Sequence, residues 1–332
     1  MQSQNLIVFD MDGVLVDVSG SYREAVRLTA RCFFQSARSG AKLPDPLFSL
    51  EDLADIKQSG GLNNDWDLTA VVIDLLFGRV KREQLVKTGD SWQAFDDAMT
   101  RCDVGELANF LKSDSRPLTA LYQGRKKPRH DLVRRLYSGD VGSGNVIKQI
   151  FQEIYLGQAL FSRIYGMAPR IYSGRGHIFK EKLLIERNRL KKLSEKNILA
   201  IATGRPKPEA DITLDHFNIR QNFELIYTLD DCLKAEDQLK EKEGKAVSLS
   251  KPHPYMLDAI ADETGDRVLN RYYIGDMPDD MQAASRAKSG FIGVGLVVSA
   301  PEKETLKYKL KQAGAHYVVE KFEDLKTIIP LN

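Results

Sequence analysis

Cysteine is scarce in this chain. Cys32, Cys102 and Cys232 are odd in number and far apart. They form no metal-binding or redox spacing and suit a reducing compartment. Histidine forms no cluster either. No apolar run approaches the roughly 20 residues that a membrane helix needs. The chain enters its first strand within a few residues, with no basic region and leader-like apolar core before it. A cleaved leader is therefore not expected, and the chain reads as cytoplasmic. Charge of one sign is missing too. Lys and Arg number 48 against 46 Asp and Glu, a net charge of +2, which offers nucleic acid or a membrane surface no whole-molecule attraction. No internal repeat is visible. What remains is an ordinary globular composition, 42% hydrophobic and 28% charged over 332 residues. At roughly 150 residues per domain, that length suggests two domains.

The chain is organised around Asn5-Leu6-Ile7-Val8-Phe9-Asp10-Met11-Asp12-Gly13-Val14-Leu15-Val16-Asp17. The run Leu6 to Phe9 reads as a strand buried on both faces, as in parallel sheets. It ends in two carboxylates one residue apart. Buried unpaired charges are costly, but the carboxyl end of a strand is where open α/β sheets build their sites. Gly13 supplies a turn that a side chain would obstruct.

Further strands are expected at Ile198–Thr203, Leu225–Thr228, Tyr272–Asp276, Phe291–Leu296 and Tyr317–Val319, alternating with helices near 179–195, 207–217, 255–263, 281–287 and 302–312. Such alternation means right-handed crossovers and a parallel sheet. Residues 234–245 are nearly all polar and read as a mobile insertion or an exposed helix. No strand signal stands out between residues 18 and 180. Helical patterns occupy about 49–58, 68–77, 81–87, 91–112 and 145–165. Ser21 with Glu24 fits a capping box before a helical pattern at Ala25, Leu28, Thr29, Cys32 and Phe33, and Asp67 is the expected cap of Leu68–Phe77. The fold class is therefore α/β: a Rossmann-like parallel core, residues 1–17 and 180–332, interrupted by a large all-helical insertion, residues 18–179. Residues 116–135 hold seven basic side chains against Asp131 alone, a solvated face or an attractor of anions. Ser138–Asn145 is glycine-rich but lacks the Lys-Ser/Thr ending of a phosphate-binding loop.

Four strand ends or loops deliver polar groups to one expected edge: Asp10 with Asp12, Thr203, Lys251, and Asp276 with Asp279 and Asp280. Two unit charges 4 Å apart repel by about 4 kcal/mol at an effective dielectric near 20, so five carboxylates sharing one crevice require cations. A hard divalent metal and one lysine balance them, and an all-oxygen donor set favours Mg²⁺ over zinc.

Asp10-Met11-Asp12-Gly13-Val14-Leu15-Val16-Asp17, Thr203-Gly204-Arg205, Lys251-Pro252 and Gly275-Asp276-Met277-Pro278-Asp279-Asp280 resemble, in order, the four motifs of the haloacid dehalogenase (HAD) superfamily. The resemblance covers residues 5–17 and about 180–320. The insertion resembles the helical cap of subfamily I, although Asp10 and Thr203, 193 residues apart, are more widely spaced than in compact members. Gly60–Asp67 and Phe151–Tyr155 resemble a small IA-like branch.

The resemblance implies a phosphatase acting on a small phosphorylated metabolite, with a sugar phosphate as the family's suggestion. It implies that Asp10 attacks phosphorus, that Asp12 is the acid and base and lends its carbonyl to Mg²⁺, and that Thr203 binds the phosphoryl group. It also implies that Lys251 neutralises charge and Asp276 ligates the metal. By the same resemblance Asp280, with or without Asp279, would hold metal waters or orient Lys251. Gly204 and Arg205 are weaker phosphate candidates, and Lys57, Asn63, Asn64 and Trp66 are candidates in a cap loop reaching the substrate. Hinges near 16–19 and 175–180 would let the cap close and exclude water. A phosphomutase of the beta-phosphoglucomutase kind is the nearest rival, and a non-catalytic binding protein on the same fold is another. Dehalogenase and phosphonatase chemistry fit less well, because those branches lack the acid/base that Asp12 supplies.

Overall fold

The computed structural model describes residues 4–59, 62, 64–82, 89–244 and 246–329. The chain divides into two units. One comprises Met1–Asp17 with Lys182–Asn332, the other Val18–Glu181.

The first unit is built on six parallel strands: β1 Gln4–Phe9, β2 Ile198–Ala202, β3 Leu225–Tyr227, β4 Val268–Gly275, β5 Ile292–Leu296 and β6 Tyr317–Val319, in the order β6-β5-β4-β1-β2-β3. Leu6 to Phe9 are wholly buried, as a strand covered on both faces requires. Val8 lies opposite Ala200 on one side and Tyr273 on the other. The carboxyl ends of β1, β2 and β4 are therefore neighbours. The strand order reverses at β1, which is where α/β sheets leave a crevice for ligands.

After β1 the chain turns tightly, with Leu15 and Val16 both donating to the Met11 carbonyl at 2.9 Å. Gly13 sits at φ 74°, where a Cβ would also collide with the Asp276 carboxylate. Val16–Asp17 then pairs antiparallel with Lys182–Leu183. That ribbon replaces the beginning of the helix expected from 179, which starts only at Arg187. The polar stretch expected at 234–245 belongs largely to the helix Leu229–Glu243, opened by a capping box at Thr228.

The second unit is mainly helical: Glu24–Gln35, Leu50–Lys57, Asp65–Phe77, Ser91–Arg101, Gly105–Ser113, Pro117–Leu121, Asp131–Leu136 and Val146–Tyr165. It is not purely so, because Lys81–Arg82 pairs with Cys102–Asp103 and divides the expected helix 91–112. Most of the helix expected at 81–87 lies outside the described residues. Ser21 caps nothing; it lies in a π-turn, Ser19–Arg23, and donates to Glu181. Asn64, rather than Asp67, caps the next helix but one, its side chain accepting from the Trp66 amide. The long helix is broken at Gly157 (φ 72°, ψ 167°), where a Cβ would strike the backbone of Arg175 and Gly176. Among the described residues no helix is long and apolar enough to cross a membrane.

Three buried carboxylates pin loops in this unit. Asp52 accepts from the Leu118 and Thr119 amides, and Glu153 from those of Arg170, Ile171 and Tyr172. Asp74 accepts from Arg125, from the Arg129 and His130 amides, and from His130 Nδ1, at 2.8 to 3.0 Å. Part of the basic stretch 116–135 is thus neutralised locally, with Arg116 on Asp55 and Arg134 on Asp131. Burial pushes the Asp74 carboxyl up, but the amides of His130 and Arg129 together with the His130 side chain outweigh that and hold it below the usual range. Its contribution to stability should be full above its unfolded value near pH 4 and lost as the pH falls through the lower folded value. Asp74→Ala is expected to destabilise the protein by about 3 kcal/mol, since it strands buried donors. Urea denaturation at pH 7 measures this, and an unchanged midpoint would contradict it.

Candidate active site

Asp10 follows β1 directly, its amide donating to the Ile274 carbonyl at 2.9 Å. Thr203 follows β2 and Asp276 follows β4, so the register just described brings all three side by side. One oxygen each of Asp10, Asp276 and Asp280 lies within 4.8 Å of the others, and all three residues are buried. Lys251 reaches in from the loop before the helix Tyr255–Thr264. Its Nζ is 3.0 Å from Asp10 Oδ1, 2.7 Å from Asp280 Oδ1 and 3.0 Å from the Tyr273 hydroxyl. The three ammonium hydrogens thus have three acceptors. The Tyr273 hydroxyl in turn donates to Asp280 Oδ1 at 2.8 Å.

Burial dominates the electrostatics. It pushes the Asp10 carboxyl up to about 7, against the opposing pull of Lys251 and with Asp280 and Asp12 adding to the rise. Burial alone would pull Lys251 down, but Asp10 and Asp280 hold its ammonium well above the ordinary lysine range. Burial, then Asp280, lifts the Tyr273 phenol well above its usual value, so it stays neutral and can donate.

The doubled aspartate separates into two positions. Asp280 joins the cluster, and its other oxygen accepts from the Met277 amide at 2.9 Å. Asp279 is buried one residue earlier in the same helical turn. Three carboxylates against one ammonium leave two negative charges, which a divalent cation balances. With oxygen the only donor atom, this fits Mg²⁺. Asp10 and Asp276 have the oxygens to hold it, while Asp280 is also engaged with Lys251.

Thr203 is buried, its hydroxyl accepting from the Arg205 amide at 3.2 Å. Gly204 is exposed, with open space around it. Arg205 is only 2% exposed, and its guanidinium lies on Asp12. In the helical unit, Lys57 is buried against Asp65 at 2.7 Å. Trp66 is buried with Lys148 Nζ 4.0 Å above its ring, a cation–π contact. Lys57, Asn64 and Trp66 therefore all have partners within that unit. Asn63 lies outside the described residues. Tyr273 does not stand out in the sequence, where it reads as one more residue of a buried strand. The available signal is that a buried phenol needs a hydrogen-bond partner.

Residues 186–294 match the model of the haloacid dehalogenase-like hydrolase family. A stretch of 73 residues is 41% identical to part of an imidazoleglycerol-phosphate dehydratase from Phytophthora nicotianae, covering 22% of this chain and 14% of that protein. The chain thus spans a small fraction of that relative's length. Among solved structures, a structural-genomics target is similar over 98% of both chains, with a TM-score of 0.62 and 19% identity. A phosphatase from Thermococcus thioreducens is similar over 92% of this chain and 99% of its own, with a TM-score of 0.53 and 21% identity. At these identities the two structures establish the fold.

Proposed function

We propose, from the match of residues 186–294 to the haloacid dehalogenase-like hydrolase family, that this chain is a Mg²⁺-dependent phosphatase hydrolysing a small phosphorylated metabolite through an aspartyl-phosphate on Asp10. The observation that carries this reading is the Lys251 ammonium lodged between Asp10 and Asp280 beside Asp276.

Asp10 Oδ attacks phosphorus as the bond to the ester oxygen breaks. Asp12 gives that oxygen a proton, and the alcohol leaves. Asp12 then takes a proton from water as the water oxygen attacks phosphorus, which breaks the bond to Asp10 and frees inorganic phosphate. Lys251 offsets the negative charge of Asp10 and of the phosphoryl oxygens. Asp280 and Tyr273 fix Lys251, and the Thr203 hydroxyl donates to a phosphoryl oxygen. The carboxylates of Asp10 and Asp276 and the Asp12 carbonyl would hold a divalent cation, which would supply further charge neutralisation. Positioning and neutralisation are most of what phosphoryl transfer requires.

The test is phosphate release from a panel of phosphorylated metabolites, with Mg²⁺ and with EDTA. Release with Mg²⁺ and loss of at least about 10²-fold in EDTA is the expected result. Undiminished release in EDTA would overturn the metal's place in the reading.

A further inference from the structure

Arg205 is the bulkiest of the fully buried side chains among the described residues. A guanidinium cannot shed its charge, and burying it is costly unless it is paired. Its pairing is specific. Nε and Nη2 both approach Asp12 Oδ1, at 2.6 and 2.5 Å. Nη1 donates to Thr213 Oγ1 at 2.7 Å, on the helix Lys207–His216. Its backbone is tied as well, the amide to Thr203 Oγ1 and the carbonyl to the Leu229 amide. The side chain is thus anchored at its base and on its far nitrogen, and it grips Asp12 between those anchors. Asp12 is the accessible member of the pair, its side chain 23% exposed against 1% for Arg205.

Both donors converge on one carboxylate oxygen instead of bridging the two, as a bidentate fork does. Asp12 Oδ2 has no hydrogen bond among the described residues. Arg205 therefore fixes the torsion of Asp12 and leaves one defined oxygen available.

We propose that Arg205 is a positioning residue for proton transfer: it holds Asp12 by Oδ1 so that Oδ2 delivers the proton to the leaving oxygen. This rests on the phosphatase reading above and gives Arg205 a role other than gripping phosphate, since its side chain is almost wholly buried and its nitrogens are engaged by Asp12 and Thr213. It also narrows the substrate class. A positioned acid matters when the leaving group is a poor one, an alkoxide that departs only as the alcohol. It matters little for an acyl phosphate or an anhydride, whose leaving group departs as a stable anion. The substrate is accordingly a phosphate monoester with a poor leaving group, of which an alkyl phosphate is the extreme case. In the first step the Asp10–phosphorus bond forms and the phosphorus–ester oxygen bond breaks, while the proton on Asp12 Oδ2 passes to that oxygen. Asp12 ends the step as the carboxylate facing Arg205.

The test is a leaving-group series, 2,4-dinitrophenyl, 4-nitrophenyl, phenyl and simple alkyl phosphates, with wild type, Arg205→Gln and Thr213→Val at saturating Mg²⁺. Dinitrophenolate leaves without a proton and serves as the internal control. For Arg205→Gln, kcat on phenyl and alkyl phosphates should fall by about 10²-fold, part of the 10²–10⁴ that acid–base catalysis supplies. On dinitrophenyl phosphate it should change by less than about threefold, with KM and inhibition by inorganic phosphate unchanged throughout. Thr213→Val removes a contact at the far end of Arg205 and leaves its bonds to Asp12 in place. It should show the same leaving-group dependence at smaller amplitude, and it provides the answer if Arg205→Gln fails to fold. An equal loss on every ester, or a raised KM with weakened phosphate inhibition, would overturn the positioning role and leave the phosphatase standing. A wild type inactive on the whole series would overturn the phosphatase reading itself, and the proposal with it.

Discussion

Asp10→Asn is expected to reduce phosphate release by on the order of 10⁴-fold or more while leaving the fold intact. An amide cannot attack phosphorus, so the variant loses the intramolecular nucleophile and its high effective concentration. Burial outweighs the attraction of Lys251 at Asp10 and pushes its carboxyl up to about 7. A carboxyl group raised in the folded state binds its proton more tightly there than in the unfolded chain. Without metal, wild type should therefore lose stability as the pH rises from about 4 toward 7, with the loss complete above that. The amide that replaces the carboxylate has no charge to desolvate. In EDTA at pH 8 the variant should melt at least as high as wild type, although Lys251 exchanges a carboxylate acceptor for a neutral amide oxygen. A thermal melt in EDTA checks this alongside the turnover assay. A variant that is inactive because it is unfolded would contradict the account.

Lys251→Met should have the opposite effect on stability and a smaller, still large, effect on rate. It removes the cation from between two buried carboxylates, leaving Asp10 and Asp280 facing each other across the vacated space. Removing one partner of a buried ion pair costs about 3–5 kcal/mol, and here the remaining groups repel. Turnover should fall by about 10³-fold, in the range that follows loss of one charge-stabilising donor. Urea denaturation in EDTA measures the first effect and steady-state kinetics at saturating Mg²⁺ the second. Added Mg²⁺ should recover part of the stability, since a cation bound to the native state alone favours folding. Unchanged metal-free stability would mean that Lys251 does not balance this cluster.

Where the chain writes its structure in long unbroken runs, the sequence is legible. Leu6–Phe9 and Ile198–Ala202 announce buried parallel strands, and the polar residues at their ends announce the edge that carries the site. Features set by a few residues, or by partners distant in sequence, are not legible in this way. The ribbon of Val16–Asp17 with Lys182–Leu183 is too short for any periodicity to show. Asp74 holds Arg125 and His130 from more than fifty residues away, so the basic stretch reads as uncompensated until the fold supplies its counter-charge. Asp279 and Asp280 are equivalent on paper. They differ only because successive helical residues point about 100° apart, and the phase of that turn follows from Asp280 folding back on the Met277 amide. Arg205 beside Thr203 suggests a phosphate ligand from its residue type alone. Its near-complete burial and its bonds to Asp12 and Thr213 redirect that reading.

The central claim is a covalent intermediate on one named carboxylate, and trapping tests it most directly. Wild type would be mixed with a turned-over substrate and Mg²⁺, quenched in acid within milliseconds and reduced with borohydride. The peptide containing residue 10 would then be read by mass spectrometry. The account predicts homoserine at position 10, dependent on substrate and absent from Asp10→Asn. Steady turnover with unmodified Asp10 at every quench time, or reduction at another residue, would contradict it.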